Sequence, residues 1–192
     1  MTEILLAPPF PRPPRWVRHA LEMLRQAELS GLEPSAYGLL DRPWDPATCS
    51  PQVRRELWSW IDDVAGWLNY TYAWQTTHVV PSCWPAHPAL VRELAVIACM
   101  RAAAADATVP HPMEEWHRYA LPGFYARMNE RQGLGCPPGR HVDWPARSWE
   151  ADYRTPSAVA ERRRRFDADT ADQPSRSAPD AVTPDGDEGD VS

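Results

Sequence analysis

Apolar residues recur at steps of three and four positions along four stretches of the chain, which is the spacing of one face of an α-helix. The stretches cover residues 12–30, 51–74, 87–105 and those from 110 onwards. Each opens close to a proline, and proline is tolerated in a first helical turn because its missing N–H needs no partner there. The pattern predicts an all-α fold, a small bundle of about four helices.

The connections between these helices are predicted to be irregular. Residues 132–148 are rich in Gly and Pro and indicate coil on the domain surface. Pro122-Gly123 predicts a kink or an end in the fourth helix, with a further turn over residues 124–128. Alternating β-branched residues occur only at 76–80, between helices, so no sheet is predicted.

Composition divides the 192 residues into four parts. We predict a disordered N-terminus over 1–11, a Trp-rich helical domain over 12–153, a short Arg-rich helix over 154–165 and a disordered acidic tail over 166–192. The formal net charge of -6 comes from the tail, where eight acidic residues and one Arg follow Phe166. The helical domain is nearly neutral, so the overall acidity indicates nothing about its partner.

Compartment follows from the N-terminus and the cysteines. The first residues are acidic and their apolar run is broken by proline, which is not the pattern of a secretory signal. The longest apolar helical run is far shorter than the ~20 residues of a membrane span. Four widely spaced cysteines in a chain of this size indicate reduced thiols. We expect a cytoplasmic protein with no membrane partner; its oligomeric state stays open.

Several catalytic classes are excluded by residue type. All 20 basic residues are Arg, which excludes a lysine nucleophile, a Schiff base and a phosphate-loop lysine. No Gly-x-Ser-x-Gly elbow occurs, and the Gly-rich segment 133–139 lacks the flanking strand and helix of a phosphate-binding loop. No catalytic residue and no cofactor is assigned, and the chain is predicted not to be an enzyme.

Cys83 and His87 are the closest pair of potential metal ligands that we considered. Their spacing of four suits one helical face, yet prolines within and after the stretch prevent a regular helix there. We recognised no second close pair, so we assign no metal and predict a buried thiol beside a hydrogen-bonded imidazole. Whether the pair converges on a metal with more distant residues stays open, and the candidates are His111, His117 and Cys136.

Tryptophan is unusually frequent, with ten residues that all lie between Trp16 and Trp149. Three of them recur every seven residues in the second helix, so the first interpretation is a stripe that faces the core. Indole is rarely buried completely and its N–H needs a partner, so some rings are expected at a protein interface. The candidate partner-binding residues are Trp60, Trp67, Trp74, Trp84 and Trp116.

A run of four arginines follows Glu161. Positive charge suits the end of a helix, and it also suits contact with phosphates. The alternative function is therefore nucleic-acid binding through Arg162, Arg163, Arg164 and Arg165. The acidic tail could fold back and compete with nucleic acid for these side chains.

The segment Cys83-Trp-Pro-Ala-His-Pro88, followed by an amphipathic helix and by Glu115-Trp-His-Arg-Tyr119, resembles an uncharacterised actinobacterial domain family of plasmids, phages and integrated elements. The resemblance covers about residues 58–128. It implies a setting on a mobile element and supplies no catalytic residue. We therefore expect a non-enzymatic accessory protein that binds an unknown protein partner, with nucleic-acid binding second and metal binding around Cys83 and His87 third.

Overall fold

Two compact units make up the chain, one over residues 1–144 and one over 145–192. The sequence analysis places the end of the Trp-rich domain later, at 153. The predicted tail from 172 onwards and residues 1–6 lie outside the described part of the chain. The computed structural model describes residues 7–31, 38–132, 136–137, 139–143 and 146–171.

The described residues form helices and turns with no β-strand among them, which confirms the all-α class. No helix in these ranges is long and apolar enough to cross a membrane. In the first unit the α-helices are α1 (Arg15–Leu29), α2 (Pro51–Tyr72), α3 (Pro88–Asp106), α4 (His111–Glu115) and α5 (Leu121–Gln132). In the second unit they are α6 (Arg147–Tyr153) and α7 (Pro156–Ala171).

The second unit differs most from the sequence prediction. Helix α6 was not predicted, because it has seven residues and buries none of them, so no apolar period marks it. Helix α7 ends at Ala171 rather than at Arg165, so residues 166–171 are helical and not part of a disordered tail. None of the residues of α7 is buried either.

Pro122 does not end the fourth predicted helix. A π-helical turn, Trp116–Ala120, joins α4 to α5, and the Leu121 N–H donates to the Trp116 carbonyl. In a regular α-helix the proline ring would collide with the carbonyl four residues earlier, and the wider π turn gives it room. The helical run therefore continues from 111 to 132, and Trp116 and Phe124 are both buried.

Residues 7–11, which were predicted to be disordered, pack on the core of the first unit. The Phe10 ring meets the Trp60 and Trp67 rings edge-on, with centroids 6.3 and 5.1 Å apart. The two indole N–H groups donate to the carbonyls of Pro11 and Pro8 at 2.9 and 3.0 Å. Buried indoles need acceptors, and this segment supplies them, which orders it.

Candidate metal centre

Two thiols and two imidazoles converge at one point of the first unit. The ligand atoms of Cys83, His87, Cys136 and His141 all lie within 4.8 Å of one another. His87 Nε2 is 3.5 Å from Cys83 Sγ and 3.3 Å from Cys136 Sγ. Cys136 Sγ is 4.0 Å from His141 Nδ1. A tetrahedral zinc ion would hold sulfur and nitrogen ligands about 3.6 Å apart, so the set has the size of one ion.

Helix α2 fixes the chain on both sides of Cys83. The Asn69 side chain donates to the Val80 carbonyl at 3.0 Å and accepts from the Val80 N–H at 2.7 Å. The Trp84 indole donates to Asp62 Oδ1 at 2.9 Å. Because these bonds tie the neighbouring residues to α2, Cys83 is presented by a well-supported part of the backbone.

A tight turn brings the His87 imidazole to the Cys83 thiol. The chain forms a 3-10 turn over Trp84–Ala86, and the His87 N–H donates to the Trp84 carbonyl at 3.0 Å. Helix α3 then begins at Pro88. The prolines that prevent a regular helix thus shape the turn that joins the two ligands.

The second pair of ligands lies on the loop that follows α5. The Arg140 N–H donates to the Pro137 carbonyl at 3.0 Å, which closes a turn between Cys136 and His141. Gly139 in this turn has φ +74°, a conformation that other residues adopt with strain. The reversal of the chain returns His141 to Cys136.

Neighbouring groups prepare the loop ligands for a metal. Asp143 Oδ1 lies 3.1 Å from His141 Nε2, so Nε2 carries the proton in this pair and Nδ1 faces the cluster with its lone pair. The Val142 N–H donates to Cys136 Sγ at 3.4 Å, and a donor at this position favours the thiolate. The carboxylate–histidine pair is a recurrent feature around protein-bound zinc.

Burial sets the protonation of the other two ligands. It raises the pKa of the Cys83 thiol, and the adjacent Cys136 raises it further. Burial also lowers the pKa of His87, to which the nearby His141 contributes. Without a metal the thiol is held protonated and the imidazole neutral, and a divalent cation would displace the thiol proton.

Of the three additional ligands considered in the sequence, Cys136 is in the cluster and the two histidines are not. His111 Nε2 lies 3.3 Å from a Glu115 carboxylate oxygen. His117 lies 2.9 Å from the Tyr72 hydroxyl through Nε2. Both histidines belong to the run from α4 to the π turn, away from the cluster.

His141 is the ligand that the sequence analysis missed. The signal was present, because Cys136 and His141 have four residues between them and form a second close ligand pair. The Gly- and Pro-rich composition of 132–148 predicted only coil. Coil and metal ligation are compatible, since a loop can bring ligands together without a helix.

Four of the five tryptophans proposed as partner-binding residues are buried. Each buried indole N–H donates a hydrogen bond, so neither the ring nor its donor needs a partner protein. The side chain of Trp74, past the end of α2, is 89% exposed, so Trp74 alone of the five can contact a partner. The buried rings and their acceptors are Trp60 to Pro11, Trp67 to Pro8, Trp84 to Asp62 and Trp116 to Ile97.

The arginine run on α7 is largely engaged within its own unit. Arg164 and Arg165 both pair with the Glu161 carboxylate. The Arg162 guanidinium lies 3.8 Å from the centre of the Tyr153 ring. Nucleic-acid binding by Arg162 to Arg165 stays a prediction, and the tail that would compete with it lies largely outside the described residues.

Comparisons of the chain with family models, with curated proteins and with solved structures found no match. The resemblance to the actinobacterial family of mobile elements stays a prediction. The case for function therefore depends on the geometry of the cluster.

Proposed function

We propose that the protein binds one zinc ion through Cys83, His87, Cys136 and His141, and that this zinc holds the loop after α5 against the start of α3. The observation that carries the proposal is the convergence of two thiols and two imidazoles, from two distant segments, within 4.8 Å. The Asp143 carboxylate on His141 supports it.

The chemistry of the four donors favours zinc. Two thiolates with two imidazoles are a typical tetrahedral zinc set, whereas magnesium and calcium prefer oxygen ligands. A two-iron cluster would place its two pairs of ligands on different iron atoms. A set confined within 4.8 Å suits a single ion better.

The geometry also favours a structural ion over a catalytic one. Four protein ligands complete a tetrahedron, whereas catalytic zinc keeps one position for water or substrate. None of the described residues in 136–143 is buried, so apolar packing contributes little to the position of this loop. Zinc bonds would supply the missing constraint.

This proposal replaces the sequence-based assignment of no metal and no cofactor. It retains the expectation of a non-enzymatic, cytoplasmic accessory protein, because a closed site supports no reaction and its thiols must remain reduced. Binding of a partner protein on the described surface would then involve Trp74 rather than the buried tryptophans.

Metal content tests the proposal directly. The full chain is expressed with added zinc, desalted, and its zinc-to-protein ratio is measured by elemental analysis. We expect one zinc per chain, and close to none in Cys83→Ser or His141→Ala. The matched controls are Cys49→Ser and His111→Ala, which change the same residue types outside the cluster and should retain zinc. An empty wild-type protein, or unchanged binding in the cluster variants, contradicts the proposal.

X-ray absorption at the zinc edge tests the ligand set. The expected first shell has two sulfur atoms at about 2.3 Å and two nitrogen atoms at about 2.0 Å. A shell of oxygen and nitrogen alone would mean that zinc binds elsewhere on the chain.

A further inference from the structure

The four cysteines divide into a convergent pair and two isolated thiols. Cys83 and Cys136 both contact His87 Nε2 and lie within 4.8 Å of each other. Cys49 Sγ is instead hydrogen-bonded to the Arg42 carbonyl at 3.4 Å, and Cys99 is buried in α3. Burial raises the pKa of Cys49 to about 11 and that of Cys99 to about 12, so neither forms much reactive thiolate near neutral pH.

We propose that the centre is a reversible redox switch in which a peroxide joins Cys83 to Cys136 in a disulfide and releases the zinc. The inference rests on the proposed function, since the zinc keeps both sulfurs as thiolates and holds them together.

The reaction balances with hydrogen peroxide as the oxidant. One thiolate attacks a peroxide oxygen, which breaks the O–O bond, gives a sulfenic acid and expels hydroxide. The second thiolate attacks that sulfur and expels a second hydroxide, which leaves the disulfide. The two sulfurs lose two electrons in total, the peroxide gains them, and two protons complete two water molecules. Zinc leaves as the divalent ion because its thiolate ligands no longer exist.

The geometry allows the bond with a small movement. A disulfide places its sulfur atoms about 2.05 Å apart, so the two Sγ atoms need to approach by at most about 2.8 Å. Cys83 is held next to α2 by the bonds of Val80 and Trp84. Cys136 lies on coil that is not buried and should supply most of the movement.

The oxidised state differs from the reduced one in a specific way. The disulfide links the loop to the same 3-10 turn as zinc does, so the loop stays attached. The rings of His87 and His141, whose centroids are 4.7 Å apart, become free imidazoles. The switch therefore changes metal occupancy and leaves the tether in place.

The test titrates the zinc-loaded, reduced full chain with hydrogen peroxide. A chromogenic chelator measures released zinc, and peptide mass spectrometry after alkylation maps the disulfide. We expect one Cys83–Cys136 bond for each zinc released, with Cys49 and Cys99 still alkylated after denaturation. A thiol reductant should then restore zinc binding.

Two variants sharpen this test. Cys49→Ser should behave as the wild type does. Cys136→His keeps four metal-binding side chains and cannot form the disulfide, so it should retain zinc at the peroxide dose that empties the wild type. Equal loss of zinc from Cys136→His would overturn the inference.

The two proposals fail at different steps. A reduced chain that binds no zinc contradicts the proposed function before any oxidant is added. Zinc that stays bound in excess peroxide, or leaves without the Cys83–Cys136 bond, overturns the switch and leaves the zinc site standing.

Discussion

In the core of the first unit four tryptophan rings are buried and each indole N–H donates a hydrogen bond, whereas none of the described residues in 136–143 is buried. The two regions belong to the same unit and are held by different forces. The core gains its free energy from apolar area removed from water. The loop has a turn, a charged pair and a set of metal ligands. The core should thus form without metal, while the loop should depend on it.

Truncation of a core tryptophan should have the largest effect. Trp60 is 1% exposed, and Trp60→Ala removes its packing and its bond to Pro11. We expect the free energy of unfolding to fall by about 3–5 kcal/mol, measured by urea denaturation of the zinc-loaded protein. A loss below about 1 kcal/mol would mean that the core is not the main source of stability.

Removal of zinc should have the next largest effect. At free zinc about 100-fold above Kd, the ion adds about 2.7 kcal/mol, so a chelator should lower Tm by about 5–10 °C. Circular dichroism should show the helices retained at 25 °C, because α1 to α5 pack without the metal. Cys83→Ser should show no chelator effect on Tm. Loss of all helix on chelation would contradict the independence of the core.

The Asp143 contact predicts a smaller effect, confined to the loop. Asp143→Ala removes the acceptor that orients His141, and we expect zinc affinity to fall by about 10–100-fold in a competition titration. The matched control is Asp63→Ala, at an exposed position on α2, which should leave affinity unchanged. Equal affinities in the two variants would mean that Asp143 does not position the ligand.

The smallest effect is expected at Trp74. Its side chain is 89% exposed, so Trp74→Ala should change the free energy of unfolding by less than about 0.5 kcal/mol. A loss as large as that of Trp60→Ala would place Trp74 in the core and contradict the described end of α2. Direct comparison of the two denaturation curves decides between these outcomes.

Local signals in the sequence predicted most of the first unit. Apolar periods and first-turn prolines placed α1, α2 and α3 within about two residues of the bounds in the structure. The order of residues 7–11 could not be predicted, because the acceptors of the Trp60 and Trp67 indoles depend on contacts between segments far apart in the chain. α6 was missed because nothing apolar marks it.

The cluster was predicted only in part for the same physical reason. The sequence shows Cys83 with His87 at short range, but their meeting with Cys136 depends on how α5 returns the chain across α3. The prolines around His87 counted against a ligand site as helix breakers, although in the structure they form its turn. His141 could have been found by searching loops, as well as helices, for paired Cys and His residues.

The π turn at Trp116–Ala120 makes the run from α4 to α5 intolerant of a change in length. Deletion of one exposed residue in this turn would convert it to regular α-helix and rotate everything that follows by about 100°. Phe124 and Met128, now 0% and 2% exposed, would leave the core, and Pro122 would meet the carbonyl of the preceding turn. Point substitutions on the outer face of these five positions should be accepted freely, whereas insertions and deletions there should be rejected.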